Sequence, residues 1–179
     1  MRKTIRKWFW AWNFEKEEKW LNEMAAQGLA LVGVGFCKYE FEDCRPGEYA
    51  VRMELLKEHK NHPESEKYIR FVEEMGAEQV GNYLRWVYFR KKTADGPFDL
   101  FSDNSSRIAH LNRIKTLLLP IGILNIGMGV SNVGLFSWQH FDGNLIGLVN
   151  LALGLLLCAG AIPIHRMIKT LKKEQQIFE

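Results

Sequence analysis

The hydrophobic pattern divides the chain into an alternating first part and a continuously apolar second part. Two runs of 20 residues, Leu117–Phe136 and Leu145–Ile164, contain no Asp, Glu, Lys or Arg, and the polar link Ser137–Asn144 separates them. Because a helix rises about 1.5 Å per residue, about 20 apolar residues cross about 30 Å of hydrocarbon. The pattern predicts a transmembrane hairpin within residues 105–173, with an amphipathic juxtamembrane helix over Ser105–Lys115 and a tail over 174–179.

The first 92 residues alternate in the manner of strands and amphipathic helices. Apolar residues at helical spacing predict one helix between Asn13 and Gly28 and another between Pro63 and Gly76. Asn is a common N-cap, Pro is common in the first turn, and Gly commonly follows the last turn of a helix. The order βαββαβ predicts an α+β, ferredoxin-like domain over residues 1–92, followed by a linker over residues 93–104. Period-two alternation places the strands at Thr4–Trp12, Leu29–Glu42, Tyr49–Leu55 and Tyr83–Phe89.

Charge follows the same division of the chain. The first 116 residues carry 20 of the 24 Lys and Arg and 18 of the 21 Asp and Glu, which indicates a water-soluble domain. The net charge of +3 is mixed in sign and does not favour a nucleic-acid partner. The three scattered cysteines, Cys37, Cys44 and Cys158, suit a reducing compartment.

The cations beside the two apolar runs predict the orientation of the hairpin. The polar link contains no Lys or Arg, whereas the outer flanks of both runs do, so the positive-inside rule predicts that both termini are cytoplasmic. The flanking cations are Arg107, Arg113 and Lys115 before the first run, and Arg166, Lys169, Lys172 and Lys173 after the second.

Cations also occur at the start and the end of the predicted domain. In a ferredoxin-like fold the first and last strands are neighbours, so we expect one basic end that faces anionic headgroups at about 1 kcal/mol per cation. The alternative is a solvated sheet edge whose charges prevent aggregation. The residues are Arg2, Lys3, Arg6, Lys7, Arg90, Lys91 and Lys92.

Tryptophans are concentrated on the same two predicted strands. In the predicted sheet Trp8, Trp10, Trp12 and Trp86 share one face, which is suited to a flat apolar ligand or a partner helix. The alternative is that these side chains form the core beneath two helices.

The two apolar runs carry small and amide residues at helical spacing. Glycine lets helix backbones touch, and amides hydrogen-bond between helices, so this stripe is expected to pack the two spans together. The alternative is a contact with a second copy or with another membrane protein. The stripe consists of Gly122, Asn125, Gly129 and Asn132 in the first run, and Gly147, Asn150 and Gly154 in the second.

Residues that suggest enzymatic chemistry are few. His59 and His62 form an HxxH motif in a polar loop, but a structural zinc site needs two further ligands, and none lies at a suitable spacing. The sequence contains no Ser-His-Asp pattern, phosphate loop or dinucleotide fingerprint. We therefore expect no metal, no cofactor and no catalytic residues, and an enzyme is the least favoured class.

Several segments of the predicted domain resemble the DUF2812 family of bacterial proteins. The resemblance rests on Glu18-Lys19-Trp20-Leu21-Asn22-Glu23-Met24-Ala25-Ala26-Gln27-Gly28, on Val51-Arg52-Met53-Glu54-Leu55-Leu56, and on Trp86-Val87-Tyr88-Phe89. It covers about Lys3 to Lys92, although Leu29 and Ala77 stand where usual members carry Trp. The family has no assigned activity, its members often carry membrane spans, and its genes often lie beside those of PadR-like regulators.

The resemblance and the pattern together predict a binding protein at the bacterial inner membrane. We expect a cytoplasmic module, anchored by the hairpin, that captures a PadR-like transcriptional regulator or a small apolar effector. The alternative is an accessory subunit of a larger membrane complex such as a transporter. The expected partners are the lipid bilayer, a PadR-like regulator, and either a second copy of the chain or a subunit of a membrane complex, with no direct nucleic-acid partner.

Overall fold

The computed structural model describes residues 2–135 and 141–178, and it divides the chain into two compact units, Met1–Asp103 and Asn104–Glu179. Half of the predicted polar link, residues 137–140 with Trp138, lies outside the described residues. The first unit contains helices α1 (Phe14–Ala26) and α2 (Pro63–Glu74). Its strands are β1 (Arg2–Arg6), β2 (Leu29–Gly35), β3 (Lys38–Asp43), β4 (Tyr49–Leu55), β5 (Glu78–Tyr83) and β6 (Trp86–Lys92).

The described strands form two antiparallel sheets of three strands, in the orders β1-β3-β2 and β4-β6-β5. The first unit is therefore an α+β domain, but the single ferredoxin-like sheet is wrong. The predicted strand Leu29–Glu42 is a hairpin that turns at Phe36 and Cys37, and β5 was not predicted. The predicted strand Thr4–Trp12 ends at Arg6 and is followed by a short 3-10 turn at Ala11–Asn13.

The first unit consists of the same βαββ arrangement twice, β1-α1-β2-β3 and β4-α2-β5-β6. Gly28 and Gly76, which are 48 positions apart (76 minus 28), follow the two helices with φ values of 84° and 85°. The pairing register shifts between Leu31 and Gly33 in β2, and at the corresponding place in β5. Both hairpins then close with two turn residues, so the halves match in helix end, bulge and turn.

Helix α1 lies between the two sheets. Trp20 of α1 contacts Tyr39 and Phe41 of β3, with ring centroids 5.0 Å and 5.8 Å away. On the other side of α1, the Asn22 side chain accepts a hydrogen bond from the Val51 N–H at 2.9 Å and donates one to the Val51 carbonyl at 3.0 Å. These bonds give partners to backbone groups on the outer edge of β4. Helix α2 packs on the opposite face of the second sheet, in a buried cluster of Leu56, Ile69, Val72, Ala77, Val87, Phe89 and Phe98.

The second unit is a hairpin of two long helices, α3 (Asn104–Leu135) and α4 (Phe141–Phe178). Two segments of the described residues, Asn104–Val133 and Leu145–Gln176, are long and apolar enough to cross a membrane. A Cβ added at Gly129 would lie 2.9 Å from the Gly147 carbonyl oxygen, and one at Gly154 would lie 2.7 Å from the Gly122 carbonyl oxygen. The four glycines therefore let the two helices of the hairpin approach each other closely.

Candidate functional site

The segment that follows β1 forms an exposed aromatic surface. Pairing of this segment with β3 ends at Lys7, whose N–H donates to the Cys37 carbonyl at 3.2 Å. Beyond that point the chain leaves the sheet edge and its indoles pack on one another. Trp8 meets Trp10 edge to face at 5.2 Å between centroids, and Trp10 stacks on Trp12 at 4.9 Å and 8°.

Residues from the hairpin turns extend this surface. The ring of Phe36, in the β2–β3 turn, lies 5.7 Å from Trp8 and 5.8 Å from Tyr83, which ends β5. We call the set Trp8, Trp10, Trp12, Phe36 and Tyr83 the aromatic ledge. Edge-to-face and stacked rings attract each other, so these contacts hold the ledge in shape.

The ledge exposes large apolar side chains to solvent. Trp8 is 53% exposed and Phe36 66%, and Leu84, next to Tyr83, is 67% exposed. Phe36 and Leu84 occupy equivalent first positions in the turns of the two βαββ halves. An exposed, contiguous apolar surface of this kind is typical of a binding site.

Trp86 does not belong to the aromatic ledge, although the sequence grouped it with Trp8, Trp10 and Trp12. It is 9% exposed and stacks on Phe14 of α1, with ring centroids 6.0 Å apart. β6 is the central strand of the second sheet, whereas β1 is an edge of the first. Trp8, Trp10 and Trp12 therefore contact one another beyond the end of β1, and not on the strand predicted for them, whereas Trp86 lies apart from them.

The strands β1 and β6, which the sequence predicted to be neighbours, belong to different sheets, so the strand pairing behind the predicted basic end is not formed. Arg90 is buried, and its guanidinium pairs with Glu42 at 3.0 Å and with Glu78 at 2.9 Å. Burial by itself lowers the pKa of Arg90, but the hydrogen bonds to Glu78 and Glu42, together with the charges of these carboxylates, raise it overall. Arg90 of β6 therefore joins the second sheet to β3 of the first.

Three cations, Lys7, Lys38 and Arg85, lie within two positions of a ledge residue in the sequence. Lys7 Nζ sits over the Trp20 ring at 4.5 Å and over the Phe9 ring at 5.0 Å, a geometry that favours cation–π attraction. Lys38 pairs with Glu40 at 2.5 Å, and this contact lowers the pKa of Glu40. Arg85 donates to the carbonyl oxygens of Leu56 and Lys57.

Glu17 forms a buried polar centre away from the ledge. One of its carboxylate oxygens accepts hydrogen bonds from Tyr39 of the first sheet at 2.7 Å and from Tyr88 of the second at 2.6 Å. Burial raises the pKa of Glu17, and the two tyrosine hydrogen bonds oppose that rise. The carboxylate links the two sheets through α1, which is a structural role.

The two histidines of the HxxH motif act locally. His62 is the N-cap of α2, and its Nδ1 accepts from the Glu64 N–H at 3.3 Å. His59 Nδ1 accepts from the Asn61 N–H at 3.5 Å. Among the described residues no group of three or more His, Cys, Asp or Glu is arranged to hold a metal ion.

The glycines of the predicted hairpin stripe lie where the two helices touch. Gly122 faces Gly154, and Gly129 faces Gly147. Asn132 lies beside Gly147 across the hairpin, whereas Asn125 donates to the Ile121 carbonyl of its own helix at 2.8 Å. Asn150 is half-buried. The glycine stripe therefore serves contacts inside the hairpin.

Comparison with known families gives one match, over residues 13–123, to the protein family of unknown function DUF2812. The chain belongs to the DUF2812 family. The matched part of this DUF2812 protein begins at the start of α1 and ends within α3, so it includes Phe36, Tyr83 and Leu84, whereas Trp8, Trp10 and Trp12 precede it. No curated protein and no solved structure matches the chain.

Sequence reasoning found the tryptophans of this DUF2812 protein but missed Phe36, Tyr83 and Leu84 as their neighbours. Phe36 was assigned to the middle of a strand, where alternation would bury it, and Leu84 to the last strand. The available signal was the repeated sequence pattern, in which Gly33 and Gly81 each precede an exposed apolar turn residue by three positions.

Proposed function

We propose that this protein is a binding module anchored in the bacterial inner membrane, with both termini in the cytoplasm. The large apolar side chains exposed on the hairpin support an anchor, since an exposed apolar surface of this size is unusual in a soluble monomer. They include Ile123, Leu124, Met128 and Val130 on α3, and Leu145, Ile146, Leu148, Val149 and Leu155 on α4. The cations that flank the hairpin support the orientation.

The aromatic ledge is the observation that carries the binding function. Its rings contact one another in sequence from Trp12 to Tyr83, and Trp8 and Phe36 remain more than half exposed. Rigid aromatic side chains lose little conformational entropy on binding and present a large apolar area, so they are common anchors of binding surfaces. The ledge thus fits an apolar partner better than a polar substrate.

The proposed role is capture and not turnover. The occupant of the ledge is a small apolar effector or a PadR-like transcriptional regulator held at the membrane, and the second idea comes from the family resemblance. In either case the module works as a sensor or anti-regulator, because binding at the ledge changes the amount of regulator free to act. Buried polar groups such as Glu17 keep the domain in shape.

Photo-crosslinking in cells tests this proposal. Benzoylphenylalanine replaces Trp10 in the full chain, or replaces Phe71 as a matched control, because Phe71 is 55% exposed and lies on α2. We expect an adduct at position 10, identified by mass spectrometry as a regulator or an apolar small molecule, and none at position 71. Equal adducts at both positions, or none at position 10, would contradict the proposal.

A further inference from the structure

Exposed apolar side chains in the first unit are concentrated at one end. Among the described residues of this unit, six large apolar side chains are exposed, and four of them, Trp8, Trp10, Phe36 and Leu84, belong to the ledge or to the turn beside it. The other two, Phe71 and Met75, lie on or next to α2. Because Phe36 and Leu84 occupy equivalent turns in the two βαββ halves, both halves of the fold contribute to this end.

The short segments that carry the ledge contain cations and no acidic residue of their own. The segments 6–12, 35–38 and 83–86 contain four charged residues, Arg6, Lys7, Lys38 and Arg85, and no Asp or Glu. Arg6 and Lys7 have no acidic partner in the described part of the chain, and only Lys38 is paired, with Glu40. The ledge therefore combines protruding apolar rings with unneutralised cations.

We propose that the ledge docks on the surface of an anionic phospholipid bilayer. This inference rests on the proposed function and names the apolar effector as lipid. Indole rings favour the headgroup region, where their apolar body and polar N–H are both accommodated, and anionic leaflets attract nearby Lys and Arg. The chain also carries two helices of membrane-spanning length. A protein anchored by these helices has a bilayer available as a binding partner.

A protein groove is the less suited occupant. A protein groove that buries the rings would also have to neutralise Arg6 and Lys7. A bilayer surface does both, because its headgroup phosphates pair with the cations and its acyl chains contact the rings. The apolar residues also protrude at turn tips, where they can enter a soft interface without a complementary pocket. Lipid docking thus accounts for the rings and the charges together.

Contact quenching by brominated lipid tests the docking in the full chain. Trp138→Phe removes the indole of the link, and the protein is reconstituted in nanodiscs of brominated or plain phosphatidylglycerol, and in parallel of brominated or plain phosphatidylcholine. We expect brominated phosphatidylglycerol to remove the share of the emission that comes from Trp8, Trp10 and Trp12. Quenching should be weaker in brominated phosphatidylcholine, and added salt should reduce the quenching in phosphatidylglycerol.

Two double variants in the same Trp138→Phe background locate the contact. Phe36→Ser with Leu84→Ser changes exposed turn residues and should abolish the quenching, whereas Phe71→Ser with Met75→Ser should leave it intact. Equal emission in brominated and plain lipid, equal quenching in the two lipids, or the same loss in both double variants would overturn the docking. If docking fails while crosslinking at position 10 still yields a regulator, the proposed function stands and only the lipid inference falls.

Discussion

At the residue scale the first unit depends on a few buried polar contacts that join its two halves. Glu17 accepts hydrogen bonds from tyrosines of both sheets, and Arg90 of β6 pairs with Glu42 of β3. Burial raises the pKa of Glu17 above its ordinary value of 4.5. An acid whose pKa is higher in the folded than in the unfolded chain loses stability as the pH rises between those two values.

Replacement of Glu17 by Gln therefore changes how stability depends on pH. As the pH rises above about 4.5, ionisation costs the wild-type fold free energy that the variant does not lose, so the difference in unfolding temperature should move in favour of the variant. Thermal unfolding in detergent at a series of pH values measures this. Glu18, whose pKa burial also raises, is present in both proteins and cancels. Parallel pH profiles for the two proteins would refute this role of Glu17.

Asn22 provides a second test at the residue scale. Its side chain pairs the N–H and the carbonyl of Val51, so Asn22→Leu leaves both groups without these partners at a cost of about 1–3 kcal/mol. Hydrogen exchange should accelerate in the β4 segment Tyr49–Leu55. Arg70→Leu, at the equivalent place on α2, is the matched control and should leave exchange in β4 unchanged. Unaltered exchange in the Asn22 variant would show that the hydrogen bonds from α1 do not protect the outer edge of β4.

At the element scale, helices were easier to predict than strand partners. The ends of α1 and α2 follow from local chemistry, since Gly28 and Gly76 adopt the positive φ that favours glycine, and Pro63 opens α2. The hairpins carry no such signal. Their turn residues are Phe36-Cys37 and Leu84-Arg85, with Cys37 and Leu84 at positive φ, where Gly or Asn is the usual choice.

That missing turn signal explains most of the error in the predicted fold. Hydrophobic alternation continues through Phe36, so the segment from Leu29 to Glu42 was predicted as one strand. The predicted sheet therefore paired the wrong strands. The ledge was predicted incompletely for the same reason, because Phe36 and Tyr83 come into contact only when both hairpins are formed. Contacts between residues far apart in sequence depend on such pairings, whereas the run Trp8, Trp10 and Trp12 was visible from its own spacing.

The apolar hairpin offers a test at the element scale with a control in the same helix. Gly129→Ala would place a Cβ 2.6 Å from Leu151 Cγ and 2.8 Å from the Leu151 backbone nitrogen, so we expect a loss of about 1–3 kcal/mol in hairpin stability. Gly127 has nothing within 4 Å of its added Cβ, and Gly127→Ala should be neutral or stabilise by up to about 1 kcal/mol. Thermal unfolding of α-helical circular dichroism in detergent compares them. Equal effects would mean that the helices do not meet at Gly129.

At the scale of the whole molecule, the first unit contains the βαββ arrangement twice, and the two copies differ in what covers their first strands. Both halves share helix ends, bulges and turns, yet α1 pairs the edge of β4 through Asn22 whereas the residues of the equivalent strand β1 are mostly exposed. The difference leaves β1 and the tryptophans after it at the surface. The duplicated scaffold therefore supports the ledge, and its N-terminal half presents most of it.

The membrane anchor is the central claim, because the ledge is proposed to act where the hairpin holds it. Alkaline carbonate extraction of membranes from cells that express the full chain tests it most directly. Peripheral proteins are released by this treatment, whereas a helical hairpin in the bilayer core is retained by its apolar surface. The account predicts that the protein stays in the membrane pellet after ultracentrifugation, and its appearance in the supernatant would contradict the account.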